Sequence, residues 1–262
     1  MIKELIYLYC VSQKGPNLKG LDGGNIYYVH HHGIYAVVSK VSEDEFSEEN
    51  LKKNLSDIEW IKAKVKIHEN VIERIIPYSS VIPFKFGTIF NTEDNLKGML
   101  EEYIERFNDN LMYLDSKEEW GVKIYCDIDR LKERIIKEDG DILKIKEEIN
   151  LSSPGKGYFL KKKRDELIRE GVNKRINEYS QVSFEILKEL SSDEQINKLL
   201  PKEVTERKEE MVLNSAFLVE KERVLEFVQA VDGLNTRYNN NGLNLDYTGP
   251  WPPYNFVGEL MS

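Results

Sequence analysis

The first forty residues carry their apolar positions in short dense runs, LIYLYCVS at 5–12 and IYYVHHHGIYAVVSKV at 26–41, the second broken near Gly33. Runs of this length, rich in β-branched and aromatic residues, predict strands, and the break at Gly33 predicts a hairpin. QKGPNLKGLDGGN, between the two runs, has the chemistry of a loop. The period then changes. Leu51, Leu55, Ile58, Ile61, Val65, His68, Ile72 and Ile75 step by three or four, which predicts one continuous helix stopping at Pro77. VIPFKFGTIF at 81–90 returns to strand character, with Pro83 near its start and Gly87 inside it. Residues 91–114 predict a second helix, with Thr92 as N-cap and Glu93 and Asp94 at the positive end of the dipole. Its stripe is Leu96, Leu100, Tyr103, Phe107 and Leu111. The order β-ββ-α-β-α is close to a ferredoxin-like split βαβ with rearranged strands.

DSKEE at 115–119 is the expected boundary. Beyond it, WGVKIYCD predicts a strand, and two charged stretches, about 128–150 and 156–190, predict helices separated by the turn NLSSPGKG. LLPKEVTERKE ends one helical stretch or begins another. MVLNSAFLVEK then predicts a strand, ERVLEFVQAVDGLNTRYN a helix and LNLDYTG the last strand. Both halves, 1–115 and 118–262, therefore look like small sheets covered by helices, an α+β organisation with added helices in the second.

Composition narrows the function classes. The chain has 262 residues, 40% hydrophobic and 32% charged, enough to bury a core under a well-solvated surface. A formal net charge of -9 gives it no overall attraction to phosphate backbones or anionic lipids. No stretch approaches the roughly 18 apolar residues of a membrane span, and the N-terminus lacks a signal-peptide core. Cys10 and Cys126 each lie inside an apolar strand-like run, which fits a reduced, cytoplasmic setting and neither a disulfide framework nor a zinc site.

Candidate chemistry is sparse. In a strand, His30 and His32 share one face and His31 the other, so the three should not converge on one ion, and His68 is the remaining histidine. His68 falls on the apolar stripe of its helix. It reads as a core histidine hydrogen-bonded to a neighbouring carbonyl in preference to a catalytic base. SSPGKGYFLKKKR has the look of a phosphate loop but lacks the P-loop spacing and a strand running into it. Its glycines are a turn, and Lys161, Lys162, Lys163 and Arg164 a solvated face diluted by Asp165 and Glu166. No nucleophile elbow, HExxH or Cys–His pair occurs, so no enzymatic constellation is legible.

One segment is unusual. In TGPWPPYNF, Pro250, Pro252 and Pro253 surround Trp251. This is formally a P-x-x-P ligand for a proline-reading domain. The preferred reading is a stiff clasp whose Trp251, Tyr254 and Phe256 pack back over the sheet of the second half.

These stretches carry a resemblance. HENVIERIIPYSSVIPFKFGTIF, with His68 leading into Pro83-Phe84-Lys85-Phe86-Gly87-Thr88, resembles the signature of the GvpL/GvpF family of gas vesicle accessory proteins, with Lys85 where arginine is common in that family. GKGYFLKKKRDE, LNSAFLVEK, IYLYCV, GIYAVVSKV and above all Thr248-Gly249-Pro250-Trp251-Pro252-Pro253-Tyr254 are similar to the family pattern, in the right order over nearly the whole chain. The resemblance implies a cytoplasmic, non-enzymatic accessory protein of gas vesicle formation. It also implies two domains, each a modified ferredoxin-like sheet covered by helices. It implies partners, the small apolar shell protein and other accessory proteins, met during nucleation or assembly. It implies no catalytic residue and no cofactor, so the motif residues are structural signatures. A small-molecule or nucleotide-binding regulatory protein with ferredoxin-like domains is the alternative, with its ligand at SSPGKG or between the domains.

Overall fold

The strand Glu4–Ser12 (β1) is buried at every residue after Glu4, which explains an apolar run with no polar alternation: both faces of the strand are covered. The computed structural model describes residues 4–15 and 26–258, so most of the loop predicted at 13–25 lies outside the described residues. The described chain forms two compact units. One comprises the residues up to Glu119 together with those from Pro250 onward, and the other is Trp120–Gly249.

In the first unit, β1 pairs with Ile34–Ser42 (β3), which pairs with Ile26–His31 (β2), while Val81–Pro83 (β4) and Ile89–Phe90 (β5) both pair with the other edge of β1. All these pairings are antiparallel, in the order β2-β3-β1-β4. The predicted hairpin turns through His32 at φ 42 and Gly33 at φ 87, the pair of positive angles that suits the twist of a tight hairpin. The register between β1 and β3 slips between Leu8 and Cys10, a bulge at Tyr9.

The helix predicted as continuous from 51 to 75 is broken. Glu43–Phe46 (α1), Glu48–Asn54 (α2) and Ile58–Glu73 (α3) are separate, each capped by its own side chain: Ser42, Ser47 and Asp57. The Asp57 carboxylate accepts from the N–H groups of Glu59 and Trp60 at 3.0 and 3.2 Å, a local alternative that outcompetes continuation of α2. Leu55 and Ile58, central to the apparent stripe, are exposed, and the stripe buries only from His68 on. The second predicted helix is likewise two, Glu93–Glu102 (α4) and Ile104–Tyr113 (α5), meeting at a non-helical Tyr103. Thr92 caps α4 as read, its hydroxyl accepting from the Asn95 N–H at 3.1 Å. Helix α3 packs on β1, α4 on β2 and α5 on β4, so the sheet is covered.

The second unit begins within Lys117–Cys126 (β6). Its helices Ile128–Glu138 (α6) and Gly140–Asn150 (α7) are split by Asp139, which caps α7, and Pro154–Lys188 (α8) runs 35 residues from a proline in its first turn. Asp193–Ile196 (β7), Lys202–Thr205 (α9), Glu210–Glu220 (β8), Val224–Asn239 (α10) and Leu243–Trp251 (β9) complete it. The strand order is β7-β8-β6-β9. Its core gathers Val122, Ile124, Phe217, Phe227, Val231 and Leu243, with the fully buried rings of Phe217 and Phe227 5.4 Å apart. Burying each such ring contributes about 1.5–3 kcal/mol. Strand β7 was not foreseen. As a polar, half-exposed edge strand it is held by its backbone pairing to β8 and shows no apolar alternation.

The halves expected from sequence, 1–115 and 118–262, place the proline-rich segment with the second half. Its packing places residues from Pro250 on with the first, and the partition falls inside β6 and inside β9.

Candidate functional site

The signature segment 81–90 is not one strand. Phe84 N–H donates to the Tyr9 carbonyl and Leu8 N–H donates to the Thr88 carbonyl, both at 2.9 Å, so Lys85, Phe86 and Gly87 loop out of an otherwise paired edge. Gly87 sits at φ +84, where a side chain is strained, and a Cβ there would stand 3.3 Å from Leu51. Thr88 closes the loop by donating from both its N–H (3.2 Å) and its hydroxyl (2.7 Å) to the Lys85 carbonyl. Pro83, with no N–H to give, occupies the short strand β4 beside it. The excursion turns Phe84 toward α5, where it meets Phe107 at 6.2 Å, and Phe86 toward His68 at 5.9 Å.

His68 is the hub of that second side. The Gly87 N–H can only donate, and it does so to the Tyr7 hydroxyl at 3.1 Å. Tyr7 therefore spends its own proton on Nδ1 of His68, 2.9 Å away. Nε2 must then carry the ring proton, which it shares between the Phe84 carbonyl at 3.0 Å and the Tyr254 hydroxyl at 3.2 Å. Tyr254 donates onward to Glu69 Oε1 at 3.0 Å. One neutral tautomer satisfies every member. Burial holds His68 down at about 4, only partly offset by the Phe84 carbonyl. The Tyr7 and Tyr254 hydroxyls are raised, chiefly by burial. Half-buried Glu69 is raised by burial too, against the hydrogen bond from Tyr254.

The C-terminal segment reaches this hub from far along the chain. Thr248 and Gly249 lie in β9 within the second unit, whereas Pro250, Trp251, Pro252, Pro253 and Tyr254 belong to the first. Pro252 and Pro253 are buried, and their carbonyls accept from the N–H groups of Tyr254 and Phe256 at 2.7 and 3.1 Å. Asn255 fastens the turn to Glu119, its N–H donating at 3.0 Å and its Nδ2 at 2.6 Å. Burial pushes Glu119 up to about 7 in spite of those two bonds. The clasp is therefore real but differs from the expectation. Tyr254 joins the core of the first unit and Phe256 is buried, while Trp251 is 42% exposed. The proline-fixed backbone, which turns after Pro252, carries the later aromatics inward and leaves the tryptophan outside.

Beside His68 lies a cleft of about 220 Å³ walled by Tyr7, Tyr9, Phe46 and Phe86. Tyr9 stacks on His68 at 5.6 Å and bonds Ser39 Oγ at 3.0 Å. At the rim Glu45 accepts from Lys64 and from Trp60 Nε1, each at 2.7 Å. Burial works against the Glu45 carboxylate, but these two donors hold it below its usual range. Lys64 Nζ stands 5.3 Å from the Phe46 ring centroid. An aromatic floor with one fixed ion pair at its edge is equipped to bind an apolar side chain flanked by a polar group.

The other candidates are placed elsewhere. SSPGKG opens α8 directly after α7, with no strand running into it, and Lys161, Lys162 and Lys163 are exposed on that helix. The His30 ring lies tilted against Tyr35, with centroids 4.7 Å apart. The strand-alternation argument fails for His31 and His32, which both reach Glu101 Oε2, because His32 lies in the left-handed turn and not in the strand. Sequence reasoning missed Tyr7, Glu69, Glu119 and Asn255. Nothing in an apolar run distinguishes a tyrosine that relays a proton donor from one that only packs.

The profile of the family described as gas vesicle synthesis protein GvpL/GvpF matches residues 5–258. Gas vesicle protein L of a Streptomyces species is 24% identical over 260 residues, covering 97% of this chain and 93% of that protein. Gas vesicle protein F of the same species is 29% identical over 195 residues, covering 72% of this chain and 75% of that one. In fold, the chain is similar to the crystal structure of GvpF from an Anabaena species, with a TM-score of 0.74, 20% identity and 99% of both chains covered. With the profile spanning both units and the His68 loop, the chain belongs to the gas vesicle synthesis protein GvpL/GvpF family.

Proposed function

We propose that this protein is a non-enzymatic, cytoplasmic accessory protein of gas vesicle formation that binds the small hydrophobic shell protein, and other accessory proteins, during nucleation or assembly. The observation that carries this reading is convergence. Two separated signature stretches, 83–88 and 250–254, meet at His68, and Phe86 of the first also walls the aromatic cleft beside it. A shell subunit that forms amphiphilic strands exposes apolar faces and unpaired edges before incorporation, an aggregation hazard. A cleft that seats one apolar side chain, beside a sheet with exposed edge residues such as Tyr28, would hold such a subunit until it is delivered. The net charge of -9 keeps that complex soluble and speaks against a nucleic-acid partner. The common strand order, with the first and third strands central in both sheets, supports reading each as a modified ferredoxin-like unit. The alternative, a regulator that binds a small molecule, is less well supported. The cleft of about 220 Å³ is smaller than the roughly 300–1,000 Å³ usual for drug-sized ligands, and SSPGKG does not form a phosphate loop.

Co-expression with the shell protein and pull-down from the soluble fraction tests the proposal. The expected result is retention of the shell protein by the parent chain and loss of retention by Phe86→Ala with its fold intact. Absence of retention by the parent, alone and with the other accessory proteins, overturns direct binding. Equal retention by Phe86→Ala and parent removes the cleft from the contact.

A further inference from the structure

The β2–β3 turn and helix α4 bring together three side chains that neither the cleft nor the His68 network uses. In a regular strand, His31 and His32 would project from opposite faces. Here the left-handed backbone at His32, φ 42, followed by Gly33 at φ 87, brings both imidazoles to one side. Their rings meet edge to face with centroids 4.5 Å apart. Both Nε2 atoms converge on one carboxylate oxygen, Glu101 Oε2, at 2.7 Å from His31 and 3.2 Å from His32. The three prospective ligand atoms all lie within 4.8 Å of one another.

The spacing suits a small divalent ion. Bonds of about 2.0–2.2 Å in a tetrahedral array separate ligand atoms by roughly 3.3–3.6 Å, so an ion between these three requires the 2.7 Å contact of His31 with Glu101 to open by roughly 0.6–0.9 Å and the 3.2 Å contact of His32 by less. His31, 18% exposed, is the anchored ligand, and His32 and Glu101, 66% and 61% exposed, have the freedom to adjust. Two imidazoles and a carboxylate are the donor set of the zinc class, whereas calcium and magnesium take oxygen alone. Three protein ligands leave the fourth position to water.

We propose that His31, His32 and Glu101 bind one divalent cation of the zinc class and so tie the tip of the β2–β3 hairpin to helix α4. The test uses the full chain without a histidine tag, stripped with chelator and titrated with Zn²⁺ by calorimetry. Co²⁺ absorption in the visible reports ligand geometry. One equivalent should bind, with a Co²⁺ spectrum of low coordination number. His32→Asn, which tolerates the left-handed backbone, and Glu101→Gln should each weaken Zn²⁺ at least about tenfold while leaving the metal-free Tm at the parent value. Zn²⁺ should raise the Tm of the parent and not of either variant. No saturable binding by the parent overturns the proposal, as does undiminished affinity in either variant.

Discussion

His68 and Glu119 sit on either side of the C-terminal turn, and their titrations pull the stability of the first unit in opposite directions. His68 is held at about 4 when folded and returns to its ordinary 6.5 when unfolded. Its contribution is therefore complete above pH 6.5 and is lost as the pH falls toward 4, because the unfolded chain takes up the proton first. Glu119 is raised to about 7 from an ordinary 4.5. Its buried charge costs stability above pH 7, and that cost is relieved as the pH falls through 7 toward 4.5. Between pH 7 and pH 5 linkage assigns a loss of about 2 kcal/mol to His68 and a gain of about 2 kcal/mol to Glu119, so the two nearly cancel. Urea unfolding of the intact chain at both pH values exposes the cancellation. On going from pH 7 to pH 5, His68→Gln should gain about 2 kcal/mol relative to the parent, and Glu119→Gln should lose about the same. The test reads only differences between proteins, so other carboxylates drop out. A His68→Gln variant whose pH dependence tracks the parent within about 0.5 kcal/mol refutes the neutral, buried histidine at the hub.

The clasp makes a contrasting pair of predictions: Phe256→Ala should cost about 3–5 kcal/mol and Trp251→Ala under about 1 kcal/mol in urea unfolding, and the reverse order would mean that the tryptophan is the anchor. Tyr254→Phe removes the donor to half-buried Glu69 and should cost about 1–3 kcal/mol; a double-mutant cycle with Glu69→Gln should show coupling, and strict additivity would break the relay. Gly87→Ala forces a side chain into the left-handed region against Leu51 and should cost about 1–2 kcal/mol, checked by thermal unfolding.

Local residue chemistry was enough to read the class of the elements and the places where the backbone is special. The unbroken apolar run of β1, the Gly33 hairpin, the Thr92 cap and the two signature stretches are local facts, written in propensity, capping chemistry and the fixed φ of proline. It misjudged continuity. Periodicity carried the helix through Leu55 and Ile58, whereas Asp57 offered the backbone a competing hydrogen bond that a hydrophobic stripe does not record. Which sheet receives the proline clasp is set by long-range packing. Hydrogen bonds from Tyr254 and Asn255 to partners more than one hundred residues earlier leave no trace in local pattern. The same holds for the histidines at the hairpin tip and for Trp251. Their neighbours are chosen by a turn and a distant helix, and burial follows from those neighbours and not from the residue's own hydrophobicity.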